Sequence, residues 1–201
     1  MGGLSGGDVT YGAQVNDSDI RTALRVYLEE AHASGTLIRD ELGLCLGDTR
    51  VDIAVIGETL SGFEIKSDRD RLDRLPGQID RYGRVLDYAT LVCAPRHQDK
   101  ATAILPHWWG VWVAEDRDEV VTLRAIREAK RNPSPDPYTV AQLLWRDEAM
   151  AVLRARDLHR GLSSGTRFRL WERMADTMTL AEIQQAVHSA IMARQEWQVC
   201  S

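Results

Sequence analysis

Cysteine is scarce in this 201-residue chain: Cys45, Cys93 and Cys200 are odd in number and nowhere spaced Cys-x-x-Cys. A disulfide framework and a zinc ribbon are thereby excluded, and free thiols in a reducing, cytoplasmic setting are expected. No apolar run approaches membrane-spanning length, and Met1–Asp8 lacks the charged-then-apolar order of a leader, so no membrane partner is expected. The five histidines are dispersed without His-x-x-x-His spacing, which argues against a histidine metal site or triad. Excess positive charge is missing too. With 25 Lys and Arg against 30 Asp and Glu the net charge is -5, so any contact with nucleic acid must be local rather than spread over the surface. The same acidic balance makes a divalent cation electrostatically welcome.

What is present is the composition of a globular domain, 44% hydrophobic and 27% charged, in a chain long enough to bury a core. Residues 1–16 read as a flexible, glycine-rich tail. From Asp17 the apolar residues Ile20, Leu24, Tyr27, Leu28 and Ala31 recur at helical spacing, with Asp17 or Ser18 as the expected cap. Arg50–Ile56 and Gly62–Ser67 read as a β-hairpin, Pro76–Asp87 as a helix and Thr90–Ala94 as a buried strand. A helix is expected over Gln98–Leu105, strands over Gly110–Ala114 and Val120–Leu123, and a last helical turn or two over Ala125–Arg131. The run Asn132-Pro133-Ser134-Pro135-Asp136-Pro137 then marks a boundary. Beyond it, Thr139–Arg156, Thr166–Asp176 and Leu180–Trp197 read as helices, the last with a Thr179/Glu182 capping box. The expectation is an α/β core over 17–132 and a helical C-terminal subdomain over 133–201.

Chemistry concentrates in the hairpin. Strand alternation places Val51, Ile53 and Val55 on one face and Asp52, Ala54 and Ile56 on the other, while Glu64 and Lys66 share a face opposite Phe63 and Ile65. Any antiparallel register pairing Asp52 with position 64 or 66 gathers the two carboxylates and the ammonium on one side. Close carboxylates are tolerated when a cation lies between them. Mg²⁺ or Mn²⁺ accepts one or two such ligands and leaves room for water and phosphate oxygens, which suits phosphodiester hydrolysis, with the lysine orienting water or steadying charge. Surface strands also carry Glu-x-Lys pairs for mere solubility, so spacing alone does not decide.

Asp52 followed by Glu64-Ile65-Lys66 resembles the PD-(D/E)XK nuclease superfamily. The longer strings Arg50–Ile56 and Phe63–Asp68, with Asp70 and Arg74-Leu75, resemble its sce7726 family, as do Trp108-Trp109-Gly110 and Leu143-Leu144-Trp145-Arg146. The superfamily's proline before the Asp is replaced by Val51. Gln78-Ile79-Asp80-Arg81-Tyr82 matches the QxxxY motif of RecB-like and Cas4-like nucleases, and its Gln78 and Tyr82 share one helix face. The resemblance implies a restriction-endonuclease-like α/β core with a mixed central sheet flanked by helices. It also implies a metal-dependent hydrolase acting on nucleic acid, with DNA the expected form. Catalytic roles fall to Asp52, Glu64, Lys66, Gln78 and Tyr82, and metal ligation to Asp52, Glu64 and an upstream glutamate. Glu41 is favoured for the last, with Glu30 open.

Arg74 and Arg81 are candidates to touch phosphate. The other arginines of residues 69–84 alternate with aspartates and read as a solvated face. Trp108, Trp109 and Trp112 sit in strand-like surroundings and read as core rather than as base-stacking platforms. The alternative to a nuclease is a non-catalytic nucleic-acid or protein adaptor on the same fold. In either case the C-terminal helices are a candidate surface for a second copy or a partner.

Overall fold

A computed structural model describes residues 14–32, 35–118 and 120–199, with side chains as far as Arg194. Most of the expected tail and Cys200 lie outside the described residues. Val15 does not: it is buried, its N–H donates to Asp68 Oδ2 at 2.8 Å and its carbonyl accepts from Asp68 N at 3.1 Å.

Helix α1 (Asp17–Ala31) starts at Asn16, whose side-chain oxygen accepts from Asp19 N at 3.0 Å, one residue before the expected caps. Its buried stripe is Ile20, Leu24 and Leu28. Then come strand β1 (Leu37–Leu44), unanticipated in the sequence, and the hairpin β2 (Thr49–Ile56) and β3 (Leu60–Lys66). Helix α2 (Leu75–Gly83), strand β4 (Tyr88–Cys93), helix α3 (Gln98–Ile104) and strands β5 (Gly110–Arg117) and β6 (Val120–Arg127) complete the α/β part. The sheet has six strands in the order β1-β2-β3-β4-β5-β6 and is mixed: β3/β4 and β4/β5 are parallel, the other pairs antiparallel.

Two expectations differ from what the chain does. Residues 125–131 continue β6 to Arg127 instead of forming a helix, because Ala125 and Arg127 pair with Trp112 and Val111 of β5 across a register shift. Thr139–Arg156 is two helices, α4 (Pro137–Ala141) and α5 (Arg146–Ala155), because Glu148 reaches back to accept from Trp145 N at 2.7 Å and so starts a new helix. Helices α6 (Arg167–Thr177) and α7 (Leu180–Val199) follow.

Each face of the sheet carries an apolar layer. On one, Ile20, Leu24 and Leu28 of α1 cover Ile53, Val55, Phe63, Ile65 and Trp112. On the other, Ala54, Ile56 and Leu91 of the sheet join α2 and residues of α4 to α7 in one continuous cluster. The proline-rich segment is fastened down: Asn132 Nδ2 donates to the carbonyls of Gly83 at 2.7 Å and Leu86 at 2.8 Å, and Asp136 N to that of Arg84 at 2.9 Å. Among the described residues no helix is long and apolar enough to cross a membrane.

Candidate active site

The site begins where the middle of the sheet comes apart. The β2–β3 ladder runs from Ile56↔Leu60 to Ile53↔Phe63 and stops, although β2 stays paired with β1 to Thr49 and β3 with β4 to Lys66. At that point Asp52 intervenes, its Oδ2 accepting from Ile65 N at 2.7 Å in place of a backbone acceptor. Strict alternation fails here as well. Val51 packs with Ala54 and Ile56 rather than with Ile53 and Val55, and the Asp52 side chain is turned laterally toward the β3 backbone.

On β3, Glu64 faces α2. Its Oε1 accepts from Lys66 Nζ and from Gln78 Nε2, both at 2.5 Å, and its Oε2 is 2.5 Å from the Tyr82 hydroxyl. That hydroxyl is also 2.6 Å from the Arg50 carbonyl, so Tyr82 bridges the separated strands, although its single proton serves one acceptor at a time. Gln78 and Tyr82 meet the same carboxylate because a four-residue step on α2 returns to one face. Tyr82 is fixed further by near-parallel stacking on buried Trp109, 5.8 Å between ring centroids. Beyond Lys66, Asp70 Oδ2 accepts from Ser67 N and Oγ at 2.8 and 2.5 Å and closes the turn that ends β3.

Glu64 is 2% exposed and lies among three donors. The Asp52 side chain, 22% exposed, has one backbone N–H and a long contact to Arg21. Burial pushes the Asp52 carboxyl up to about 6, the charge of Glu64 adds to the rise, and the Ile65 N–H, Lys66 and Arg21 oppose it. Burial raises the Tyr82 phenol far above its ordinary range, and Glu64 reinforces this, so the phenol remains a hydrogen-bond donor.

An open cleft of about 630 Å³ brings Asp52, Glu64, Lys66 and Gln78 together with Arg74 and Arg81. Arg74 is exposed at the start of α2. Arg81 is half-buried, donating to the Gly77 carbonyl at 3.0 Å. Among the described residues neither arginine forms an ion pair. Glu41 lines the same cleft from β1, in left-handed backbone (φ 53°), across from Asp52 where the β1–β2 ladder skips a pair. Glu30 instead lines a groove between α1 and β6, so of the two upstream glutamates Glu41 is the one beside Asp52.

Sequence reasoning missed Arg21. Its Nη1 donates to the Asp52 carbonyl at 2.9 Å and its Nη2 lies 3.4 Å from Asp52 Oδ1. Only its i,i+4 spacing to Asp17 was readable, which says nothing of the hairpin. Of the tryptophans, Trp109 and Trp112 are buried and Trp108 half-buried, so these rings are core. Among the described residues the exposed tryptophan is Trp145, 64% exposed, with the Arg194 guanidinium 4.1 Å from its ring centre.

Among the described residues no three His, Cys, Asp or Glu side chains converge as a ready metal cage. A hard divalent ion does not require one, since Mg²⁺ is held by one or two carboxylates with water and phosphate filling its shell. Asp52 and Glu64 supply such a pair at one cleft, and of the two causes that raise Asp52, burial first and then repulsion by Glu64, a cation would relieve the second. Gln78 Oε1, buried without a protein partner among the described residues, adds a spare polar atom. The donor set therefore fits Mg²⁺ or Mn²⁺.

A protein of unknown function from Silicibacter pomeroyi has a structure similar to this chain at a TM-score of 0.41 and 18% identity, over 79% of this chain and 97% of that one. Protein cII of Enterobacteria phage P4 is 24% identical over 187 residues, 90% of this chain and 68% of that protein. The family model of bacteriophage P4 protein cII matches residues 13–199, and the chain belongs to that family.

Proposed function

We propose that the chain is a metal-dependent nuclease of the PD-(D/E)XK type, related to the sce7726 family, that hydrolyses phosphodiester bonds of nucleic acid, DNA above all, in the cytoplasm. The observation that carries this reading is the network in which Lys66, Gln78 and Tyr82 all converge on Glu64 beside Asp52, at the mouth of a cleft. A six-stranded mixed sheet flanked by helices is compatible with a restriction-endonuclease-like core.

Asp52, Glu64 and, from the rim, Glu41 would hold the ion, which when bound supplies an acidified water and offsets charge on the phosphate. Lys66 holds its ammonium against Glu64 at 2.5 Å, within reach of a nucleophile or a phosphate oxygen on the cleft side, and stabilises negative charge that grows there. Gln78 and Tyr82 orient Glu64 by donating to different oxygens, which fixes the carboxylate plane. Arg74 and Arg81, which line the same cleft from α2, offer guanidinium groups to flanking phosphates.

The test is incubation of the purified protein with linear, circular and single-stranded DNA and with RNA, in Mg²⁺, Mn²⁺ or EDTA. Cleavage that requires metal and falls by about two orders of magnitude or more in Lys66→Ala and Asp52→Ala is expected. Cleavage that persists in both variants, or is absent under every condition, rejects the reading and leaves the adaptor alternative.

A further inference from the structure

One cation already stands among the carboxylates. The Arg21 guanidinium, on α1, reaches Asp52 on β2 with two unlike sets of contacts. Its Nη1 makes a short bond to the Asp52 backbone carbonyl, 2.9 Å, which holds helix to strand. Its Nη2 stands 3.4 Å from Asp52 Oδ1 and 3.6 Å from Glu41 Oε1. These two distances are longer than a charge-assisted hydrogen bond, ~2.7–2.9 Å, so this end of the group neutralises the two carboxylates without being locked to either. The remaining neighbours are carboxylates as well: Asp17 Oδ1 is 3.5 Å from Nε and Asp40 Oδ1 is 3.8 Å from Nη1. Asp40 is already served by Arg25 at 2.6 Å and Glu41 in part by Arg50 at 3.5 Å. Lys66, 2.5 Å from Glu64 Oε1, is the other cation whose charge reaches Asp52.

Resting on the metal-site reading above, we propose that Arg21 is a built-in counter-ion that competes with the divalent metal for Asp52 and Glu41. Nη2 lies between two of the three carboxylates that would take up the ion, and like charges cannot share that space at close range. Metal entry moves the Nη2 end of the guanidinium away from Asp52 Oδ1 toward Asp17, while Nη1 can keep its bond to the Asp52 carbonyl. Strand β2 is thus tied to α1 in both states, and the intrinsic affinity for metal is set below what the carboxylates alone would give. A purely structural arginine would make the opposite prediction: its removal would loosen Asp52 and weaken metal binding.

Calorimetric titration of Mn²⁺ into the full chain separates these. Arg21→Gln is expected to bind Mn²⁺ about fivefold more tightly, ~1 kcal/mol, with Arg21→Lys close to wild type and Asp52→Asn without binding. Equal or weaker binding by a folded Arg21→Gln overturns the counter-ion role and leaves the metal site standing. Absence of Mn²⁺ binding in both wild type and Arg21→Gln, or binding unaffected by Asp52→Asn, overturns the metal-site reading and this role with it. If Arg21→Gln loses its cooperative melt, the ¹⁵N resonance of the Arg21 guanidinium in the wild-type chain, assigned with Arg21→Lys, decides. A shift on saturation with Mg²⁺ is expected, and an unmoved resonance overturns the proposal.

Discussion

Asp52→Asn should make the metal-free protein more stable. The carboxyl is pushed from 3.8 up to about 6, first by burial and then by Glu64, so ionising it is unfavourable in the folded chain. At ~1.4 kcal/mol per pKa unit, this withholds ~3 kcal/mol of folding stability once Asp52 is fully charged. The sign follows from proton uptake. Between about pH 4 and 6 the folded chain binds a proton that the unfolded chain has lost, so this group's contribution is most favourable below pH 4 and falls as pH rises through 6. Asparagine retains an oxygen for the Ile65 N–H but turns an amide toward Arg21, which offsets part of the gain and leaves about 1–2 kcal/mol. For a chain of this length that is a rise in Tm of roughly 3–6 °C. Thermal melts of both proteins in EDTA at pH 4, 6 and 8 are the assay. The gap should reverse sign, with the variant less stable by ~1–2 kcal/mol at pH 4 and more stable at pH 8, and excess Mg²⁺ should raise the wild-type Tm alone. A gap independent of pH, or an asparagine variant less stable at pH 8, would refute the claim that Asp52 is held charged against its surroundings.

Tyr82→Phe keeps the stack on Trp109 but removes the donor to Glu64 and the partner of the Arg50 carbonyl; urea unfolding should show a loss of ~1–3 kcal/mol, and no loss would mean that the phenol does not bind the strands together. Asn132→Ala strips two hydrogen bonds from the carbonyls of Gly83 and Leu86, so the urea midpoint should fall by an equivalent of ~1–3 kcal/mol, whereas an unchanged midpoint would show that the proline-rich segment is held by other contacts.

The residues that are legible in the sequence are those whose placement depends on local periodicity. Glu64 and Lys66 share a strand face, and Gln78 and Tyr82 share a helix face, so each pair could be placed by counting. Asp52 was legible as a residue but not in its geometry, because the break in alternation at Val51 arises from the splitting of β2 from β3 and not from any local propensity. β1 was illegible for a different reason. Arg39, Asp40 and Glu41 in its middle disfavour a strand by propensity, and are accommodated because β1 is an edge strand whose Asp40 meets Arg25 of α1. Residues 125–127 show the reverse, a locally helical composition overridden by pairing with β5. Arg21 is legible in none of these ways, since it reaches Asp52 only once α1 lies across the sheet.

The fold supplies its own control for reading the Asp52–Glu64 pair as functional. At the opposite end of β3, Asp87 is as deeply buried as Glu64, and it is satisfied by groups with a structural purpose. Leu60 N donates to its Oδ2 at 2.8 Å and Gln184 Nε2 to its Oδ1 at 2.6 Å, with His188 Nε2 3.5 Å away, which joins α7 to the sheet. This chain therefore has the means to place a carboxylate in its interior at low cost, through backbone N–H groups and neutral amides. It does not use them fully at Asp52, which is left facing a second carboxylate with its acidity weakened. The Ile65 N–H alone does not require a charge at this position, since an asparagine would serve it equally well. A local sacrifice of stability at a cleft, in a fold that satisfies Asp87 with neutral donors, is the pattern expected where charge is kept for binding or chemistry rather than for folding.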